Sequence, residues 1–141
     1  MIYLDTSVLV GMLCPEPHTP ALQRWYANSE GIELVSTPWN RAELASALAI
    51  KQRTRQLGAA EVSLATGKGK EVLATTRCVP LQASDFDEAA TFCENAASNL
   101  RAADALHLAV ALRMGCSAMA TLDEVLQKAA RKQGLKIVKF V

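Results

Sequence analysis

Apolar residues along the chain come in short runs separated by longer stretches with helical spacing. Ile2-Tyr3-Leu4 is a three-residue apolar run that predicts a strand. Asp5-Thr6-Ser7 offers side-chain caps for a helix through Leu13, which Pro15-Glu16-Pro17 stops. A second helix is predicted over 19–28, with Leu22, Trp25 and Tyr26 on one face, and a strand over 32–36. Thr37-Pro38 places a cap and a proline at the start of a helix that continues through Leu44 and Leu48 to Leu57. Residues 59–76 read as helix despite Gly67 and Gly69, and residues 78–81 as a strand. Ser84 is the expected cap of a helix to Ala97 with Asp87 in its first turn, and a further helix covers 102–114. A strand over 116–120 leads into Thr121-Leu122-Asp123-Glu124, a capping-box pattern opening a helix to about Lys132. Residues 137–140 give a closing strand.

Short strands joined by helices imply right-handed crossovers. The predicted fold class is therefore α/β, a sandwich with a central, mostly parallel sheet flanked by helices. The length of 141 residues fits one domain spanning 1–141. In such sheets ligands bind beyond the carboxyl ends of the strands, so the strand-to-helix junctions are where chemistry is expected.

Composition narrows the class. Half the residues are hydrophobic, drawn mostly from Ala, Leu and Val, and the formal net charge is +1. That balance gives no global electrostatic pull toward nucleic acid or a membrane, so any RNA contact must be local. Cys14, Cys78, Cys93 and Cys116 form no C-x-x-C unit, which argues against a zinc site or a redox pair. They read as small buried hydrophobes in a reducing compartment. The N-terminus lacks a basic leader, and no apolar run approaches the ~18 residues of a membrane span. A cytoplasmic location without membrane contact is the expectation.

Four acids stand at the junctions. Asp5 ends the first strand, Glu43 lies in the second turn of the helix after the second strand, Asp104 opens its helix, and Asp123 follows the fourth strand. Each alone has the ordinary reading of a helix cap or a partner for the helix dipole. Asp104 stands out because its surroundings, Leu100 to Leu108, are dominated by Ala and Leu, with Arg101 the one adjacent cation. Two unit charges ~4 Å apart repel by about 4 kcal/mol at an effective dielectric of ~20, a cost that a divalent cation removes. All-oxygen ligands select hard ions, so Mg²⁺ or Mn²⁺ is expected, and such a site suits phosphodiester hydrolysis.

These segments resemble the PIN-domain nucleases. Ile2-Tyr3-Leu4-Asp5-Thr6-Ser7 looks like the first motif, Arg41-Ala42-Glu43-Leu44 the second, Ala102 to Ala109 the third, and Ala120-Thr121-Leu122-Asp123 the fourth. Their order, the chain length and the early first motif resemble the toxins of bacterial VapBC toxin–antitoxin pairs. The resemblance spans almost the whole chain. It implies a PIN-like three-layer sandwich with Asp5, Glu43, Asp104 and Asp123 around Mg²⁺, Asp5 and Asp104 being the direct ligands. Thr6, Ser7 and Thr121 are then hydroxyls that orient carboxylates or water. It also implies endoribonuclease activity, a cognate antitoxin whose C-terminal segment covers the site, and a homodimer.

Other residues add less. Lys51, Arg53, Arg55, Lys68, Lys70 and Arg77 form a basic stretch that reads either as an RNA-phosphate patch or as a solvated helix face, the latter preferred. His107 is expected to be packed or capping rather than a general base, and Glu124 to be the capping-box glutamate. Trp25, Tyr26 and Trp39 could serve a partner helix or the core. A haloacid-dehalogenase-type phosphatase needs a D-x-D pair where Asp5-Thr6-Ser7 stands, and a phosphoreceiver module needs an acidic pair and a lysine that are not found. The alternatives are a PIN-fold RNA-binding or RNA-processing protein outside a toxin–antitoxin pair, or another metal-dependent phosphohydrolase; the four acids argue against a pure binding domain.

Overall fold

Every strand pairing in the structure, a computed structural model describing all of residues 1–141, is parallel. The chain runs β1 (Ile2–Leu4), α1 (Thr6–Leu13), α2 (Thr19–Ala27), β2 (Leu34–Ser36), α3 (Pro38–Arg53) and α4 (Ala59–Ala74). It continues through β3 (Arg77–Cys78), α5 (Ala83–Glu94), a 3₁₀ turn (Ala96–Ser98), α6 (Ala102–Arg113), β4 (Ala118–Ala120), α7 (Glu124–Lys132) and β5 (Lys136–Ile137). The sheet order is β3-β2-β1-β4-β5. β1 lies at its centre, with Tyr3 opposite both Val35 and Met119. This is the α/β class read from the sequence.

The side-chain alternation of β1 divides the interior in two. Tyr3 points with Val35 and Met119 into a core shared with Leu106, Leu108, Val110 and Leu126. Leu4 points with Ala120 into a second core with Leu9, Leu22, Leu44 and Leu48. Helices α1 to α4 therefore cover one face of the sheet, and α5 to α7 the other. A sheet covered on both faces explains why its strands read as apolar runs rather than as alternations. No helix is long and apolar enough to cross a membrane.

Several boundaries differ from the sequence reading. The helix after Thr37 stops at Arg53 rather than Leu57. Arg55 adopts a left-handed φ of 59°, and the N–H groups of Gln56 and Leu57 turn back to the Lys51 carbonyl. The helix assigned to a Ser84 cap begins one residue earlier, at Ala83. Its cap is Gln82, whose N–H donates to Asp85 Oδ2 at 2.8 Å, so Asp85 rather than Asp87 is the first-turn acid. It ends at Glu94, and the 3₁₀ turn replaces its last residues. The capping box read at Thr121 is also displaced: Asp123 is the N-cap of α7 and accepts from Leu126 N at 2.7 Å. Glu124 is consequently the first residue of α7 rather than a capping-box acid.

Asp85 has a second, structural task. It is buried, and Arg113 grips both its oxygens, Nε to Oδ1 at 2.6 Å and a terminal nitrogen to Oδ2 at 2.9 Å. Burial works to raise the Asp85 carboxyl, but Arg113 and the Gln82 N–H outweigh it and hold it below the usual range. A depressed folded-state value means that the pair's stabilisation is complete above the ordinary Asp range and is lost as pH falls through the lower folded value. Arg113→Met leaves a buried carboxylate short of its partner and is expected to cost on the order of 3–5 kcal/mol at neutral pH. Urea unfolding across pH should show that deficit shrinking on acidification, as the orphaned Asp85 takes up a proton.

Candidate active site

Strand order locates the site. From β1 the chain moves through β2 to β3 on one side, then returns past β1 to β4 and β5 on the other. The connections out of β1 and β4 therefore leave in opposite directions, and the crevice between their carboxyl ends is the topological switch point. Asp5 follows β1 there, and Thr121 to Asp123 follow β4. The Asp5 N–H donates to the Ala120 carbonyl at 3.0 Å, which fixes the two strand ends together.

Asp5 is 4% exposed and held from one side. Its Oδ2 accepts from Ser7 Oγ at 2.5 Å, Thr121 Oγ1 at 2.8 Å and, more weakly, Ser7 N at 3.3 Å. Both hydroxyls are themselves pinned, Ser7 Oγ by the Leu122 N–H at 2.9 Å and Thr121 Oγ1 by the Asp123 N–H at 3.1 Å. Thr121 thus orients Asp5 instead of capping α7. The other oxygen, Oδ1, takes no hydrogen bond and lies 3.6 Å from His107 Nε2.

Glu43 reaches the site from the opposite helical layer. Its Oε2 accepts from Thr6 Oγ1 and from His107 Nε2, each at 2.5 Å. Asn40 supports Thr6 from behind: its amide donates to Thr6 Oγ1 at 3.2 Å and to the Leu4 carbonyl at 2.9 Å. His107, on α6, is 1% exposed, and its Nδ1 meets the Tyr3 hydroxyl at 2.8 Å. Burial works to raise the Glu43 carboxyl. Hydrogen bonds and charge from His107, with weaker help from Thr6 and the Trp39 indole, overcome burial and hold Glu43 below its ordinary value. Burial likewise works to lower His107, but Glu43, Asp5 and Asp104 raise it, so the ring is biased toward the imidazolium.

Asp104 is the unsatisfied member. No hydrogen bond from the protein reaches its side chain, and its one ion-pair contact, Arg101, stands at 3.8 Å with its side chain 84% exposed. An ion pair that open to water contributes little. Burial and the charges of Asp123 and Asp5 push the Asp104 carboxyl up, more than Arg101 and His107 pull it down. Asp5, Asp104 and Asp123 therefore share one electrostatic site, and His107 ties Glu43 to it. No three acids close on a common point as a ready-made cage. The donor set fits a hard divalent ion, being all oxygen with Asp5 Oδ1 and both Asp104 oxygens free. An ion resting on one or two carboxylates and completed by water is the arrangement Mg²⁺ favours.

Sequence reasoning did not place Tyr3 and Asn40 in the site, and it underrated His107. A buried histidine was expected, but as packing, whereas here it bridges β1 to a carboxylate across the sheet edge. The available signal was a polar side chain in an apolar strand, Tyr3, and another in an apolar helix, His107. Two of the six cations of the basic stretch are neutralised locally: Lys51 pairs with Glu16 at 3.1 Å and Arg77 with Glu33 at 3.3 Å. Beside the acids, Thr6, Ser7, Trp39, Glu43, Arg101 and Leu122 line part of an open groove of about 700 Å³, of whose walls Glu43 is the one member of the acidic set.

A five-stranded parallel sheet covered by helices on both faces, with Asp5 and Asp123 following the two strands of its switch point, defines the class of fold and the place of its candidate site. The PIN domain family profile matches residues 2–132, and the chain belongs to that family. It is 30% identical to Ribonuclease VapC47 of Mycobacterium tuberculosis over 138 residues, 95% of this chain and 93% of that protein. The fold is similar to FitAcB from Neisseria gonorrhoeae, with a TM-score of 0.70 and 22% identity over 99% of this chain and 97% of that one. It is also similar to Mycobacterium tuberculosis VapC20, a sarcin-ricin loop cleaving toxin, with a TM-score of 0.71 and 16% identity over 92% and 95% of the two chains.

The raised Asp104 carboxyl makes a prediction independent of catalysis. A carboxylate destabilised by its neighbours weakens the folded state at neutral pH. In EDTA, Asp104→Asn should melt a few degrees above the native chain, and the gap should close as pH falls and native Asp104 protonates. Differential scanning calorimetry across pH checks the sign.

Proposed function

We propose that this chain is an endoribonuclease, the toxin of a type II toxin–antitoxin pair, which hydrolyses RNA phosphodiester bonds with Mg²⁺ or Mn²⁺ at Asp5, Glu43, Asp104 and Asp123. The observation that carries this reading is Asp104, a largely buried carboxylate without a hydrogen bond that faces two other acids. Family membership and the kinship with a VapC ribonuclease support it. An ion held there supplies Lewis acidity at the phosphate and a more acidic water.

The chain's own residues then have distinct tasks. Asp5 and Asp104 present free oxygens as the direct ligands. Ser7 and Thr121 occupy the far oxygen of Asp5, so its free oxygen is aimed in a fixed direction, and Thr6 does the same service for Glu43. Glu43, kept charged by His107 at the wall of the groove, accepts a hydrogen bond that orients the attacking water. Asp123 spends one oxygen on the α7 cap and contributes charge. The partners in this reading are RNA, a cognate antitoxin whose C-terminal segment covers the acids, and a second copy of the chain as a homodimer, in the cytoplasm.

Cleavage of total RNA by the purified chain with Mg²⁺, with Mn²⁺ and with EDTA tests it. Asp5→Asn and Asp104→Asn should each lose more than about 10²-fold in rate while keeping the native circular dichroism, since ion-assisted charge stabilisation is worth several kcal/mol. Mg²⁺ should raise the melting temperature of the native chain and leave that of Asp104→Asn unchanged. Full activity in Asp104→Asn, or cutting unaffected by EDTA, overturns the proposal.

A further inference from the structure

Trp39 occupies a position that core packing does not explain. It is the second residue of α3, directly after Pro38, and belongs to neither core. It remains 37% exposed. The chain's other tryptophan, Trp25, is packed edge-on against Phe140, with ring centroids 5.3 Å apart. Trp39 instead stands at the meeting of two grooves. One is the groove that carries Ser7, Glu43 and Arg101. The other is wholly apolar, with Ala89, Ala102, Ala103 and the exposed Phe86 in its walls. The short alanine side chains leave the ring uncovered, and Glu43 lines the same groove beside it.

A large aromatic ring in partial contact with water costs hydrophobic free energy that burial would recover. Its place beside a charged carboxylate narrows what can cover it. An apolar peptide side chain entering from the acid side would face Glu43, Ser7 and Arg101 unmatched. A nucleotide presents the right combination: a flat base for the ring and a phosphate for the guanidinium, one sugar apart. Arg101 lines the same groove and is free to turn toward a phosphate, being tied only by its long contact to Asp104.

We propose that the exposed face of the Trp39 ring is a stacking platform for one base of the RNA, seated one sugar away from a phosphate held by Arg101. The inference rests on the ribonuclease reading and adds a substrate-binding residue to it. Stacking tolerates any base, so Trp39 supplies affinity and register rather than base identity.

Trp25→Phe leaves Trp39 as the sole tryptophan, and its emission then reports on this surface directly. The probes are a single-stranded RNA octamer of mixed sequence and the same octamer with one abasic site moved along it, in Ca²⁺ to limit turnover. Saturable quenching by the intact octamer, relieved by one particular abasic position, is expected. In steady-state cleavage with Mg²⁺, Trp39→Ala should raise KM by about 5- to 160-fold, the range of a lost base–aromatic stack. Trp39→Phe keeps a flat ring without the indole N–H and should restore most of that loss.

Four results overturn the proposal. RNA that binds and is cut with no change in Trp39 emission removes the platform and leaves the ribonuclease reading standing. Equal loss of kcat in both variants with KM unchanged makes Trp39 a positioning residue for Glu43. Emission that shifts with protein concentration alone, with Trp39→Ala dissociating a dimer in sedimentation, gives the ring to an interface between copies. No binding and no metal-dependent cutting of any RNA overturns both readings.

Discussion

The Asp5 carboxylate sits almost sealed from water at the end of the central strand, and burial together with the charges of Asp123 and Asp5 pushes the Asp104 carboxyl upward. That mutual repulsion is the constraint around which the carboxyl edge of the sheet is arranged. Like charges in a region of low dielectric separate, protonate or acquire partners. Separation is prevented because the Asp5 N–H holds the Ala120 carbonyl and because Ser7 and Thr121 tie the β1 and β4 ends through one carboxylate oxygen. What the chain supplies instead is partial compensation: hydroxyls for Asp5, a helix cap for Asp123, and His107 for Glu43. Asp104 receives no such group.

His107 gives this compensation its long reach. It comes from α6, in the layer covering one face of the sheet, and meets Glu43 from α3, in the layer covering the other, at the sheet edge where they can touch. Tyr3 anchors the ring from within the central strand. A single buried hydrogen-bonded path thus links both helical layers and the sheet, and a buried polar path of this kind is stable only when each member is satisfied. Tyr3, His107, Glu43, Thr6 and Asn40 all have partners. The rigidity of this path is what allows the oxygens left open on Asp5 and Asp104 to keep a direction.

Stability and site chemistry are separated in space. Far from the acids, Asp85 and Arg113 form an ion pair with two parallel contacts that clamps α5 to α6. Two pairs of side chains, Asp85 with Arg113 and Glu43 with His107, lie within hydrogen-bonding distance, yet they do different work. The first is closed on itself and holds packing. The second leaves its charge at the wall of a groove, where Trp39 and Arg101 are exposed as well. Surface left incomplete in this way is characteristic of a site that carries function at some expense of stability.

The sequence by itself determined the alternation of strands and helices, hence the parallel α/β sheet and the edge at which chemistry would gather, because local periodicity and caps are properties of neighbouring residues. It marked Asp5, Glu43, Asp104 and Asp123 through their junction positions, and Thr6, Ser7 and Thr121 beside them. Tertiary structure decided what those residues touch. Thr121 matched a helix cap locally, but its hydroxyl is used across the sheet on Asp5, and Asp123 caps α7 in its place. Asp85 likewise lies in the first turn of a helix that follows a strand, yet its carboxylate is taken by Arg113. His107 could not be joined to Tyr3 and Glu43 from spacing alone, since the partners lie 104 and 64 residues away in the chain. Pairings at such separations depend on strand order, which sets which helix ends meet at the sheet edge and which no local pattern encodes.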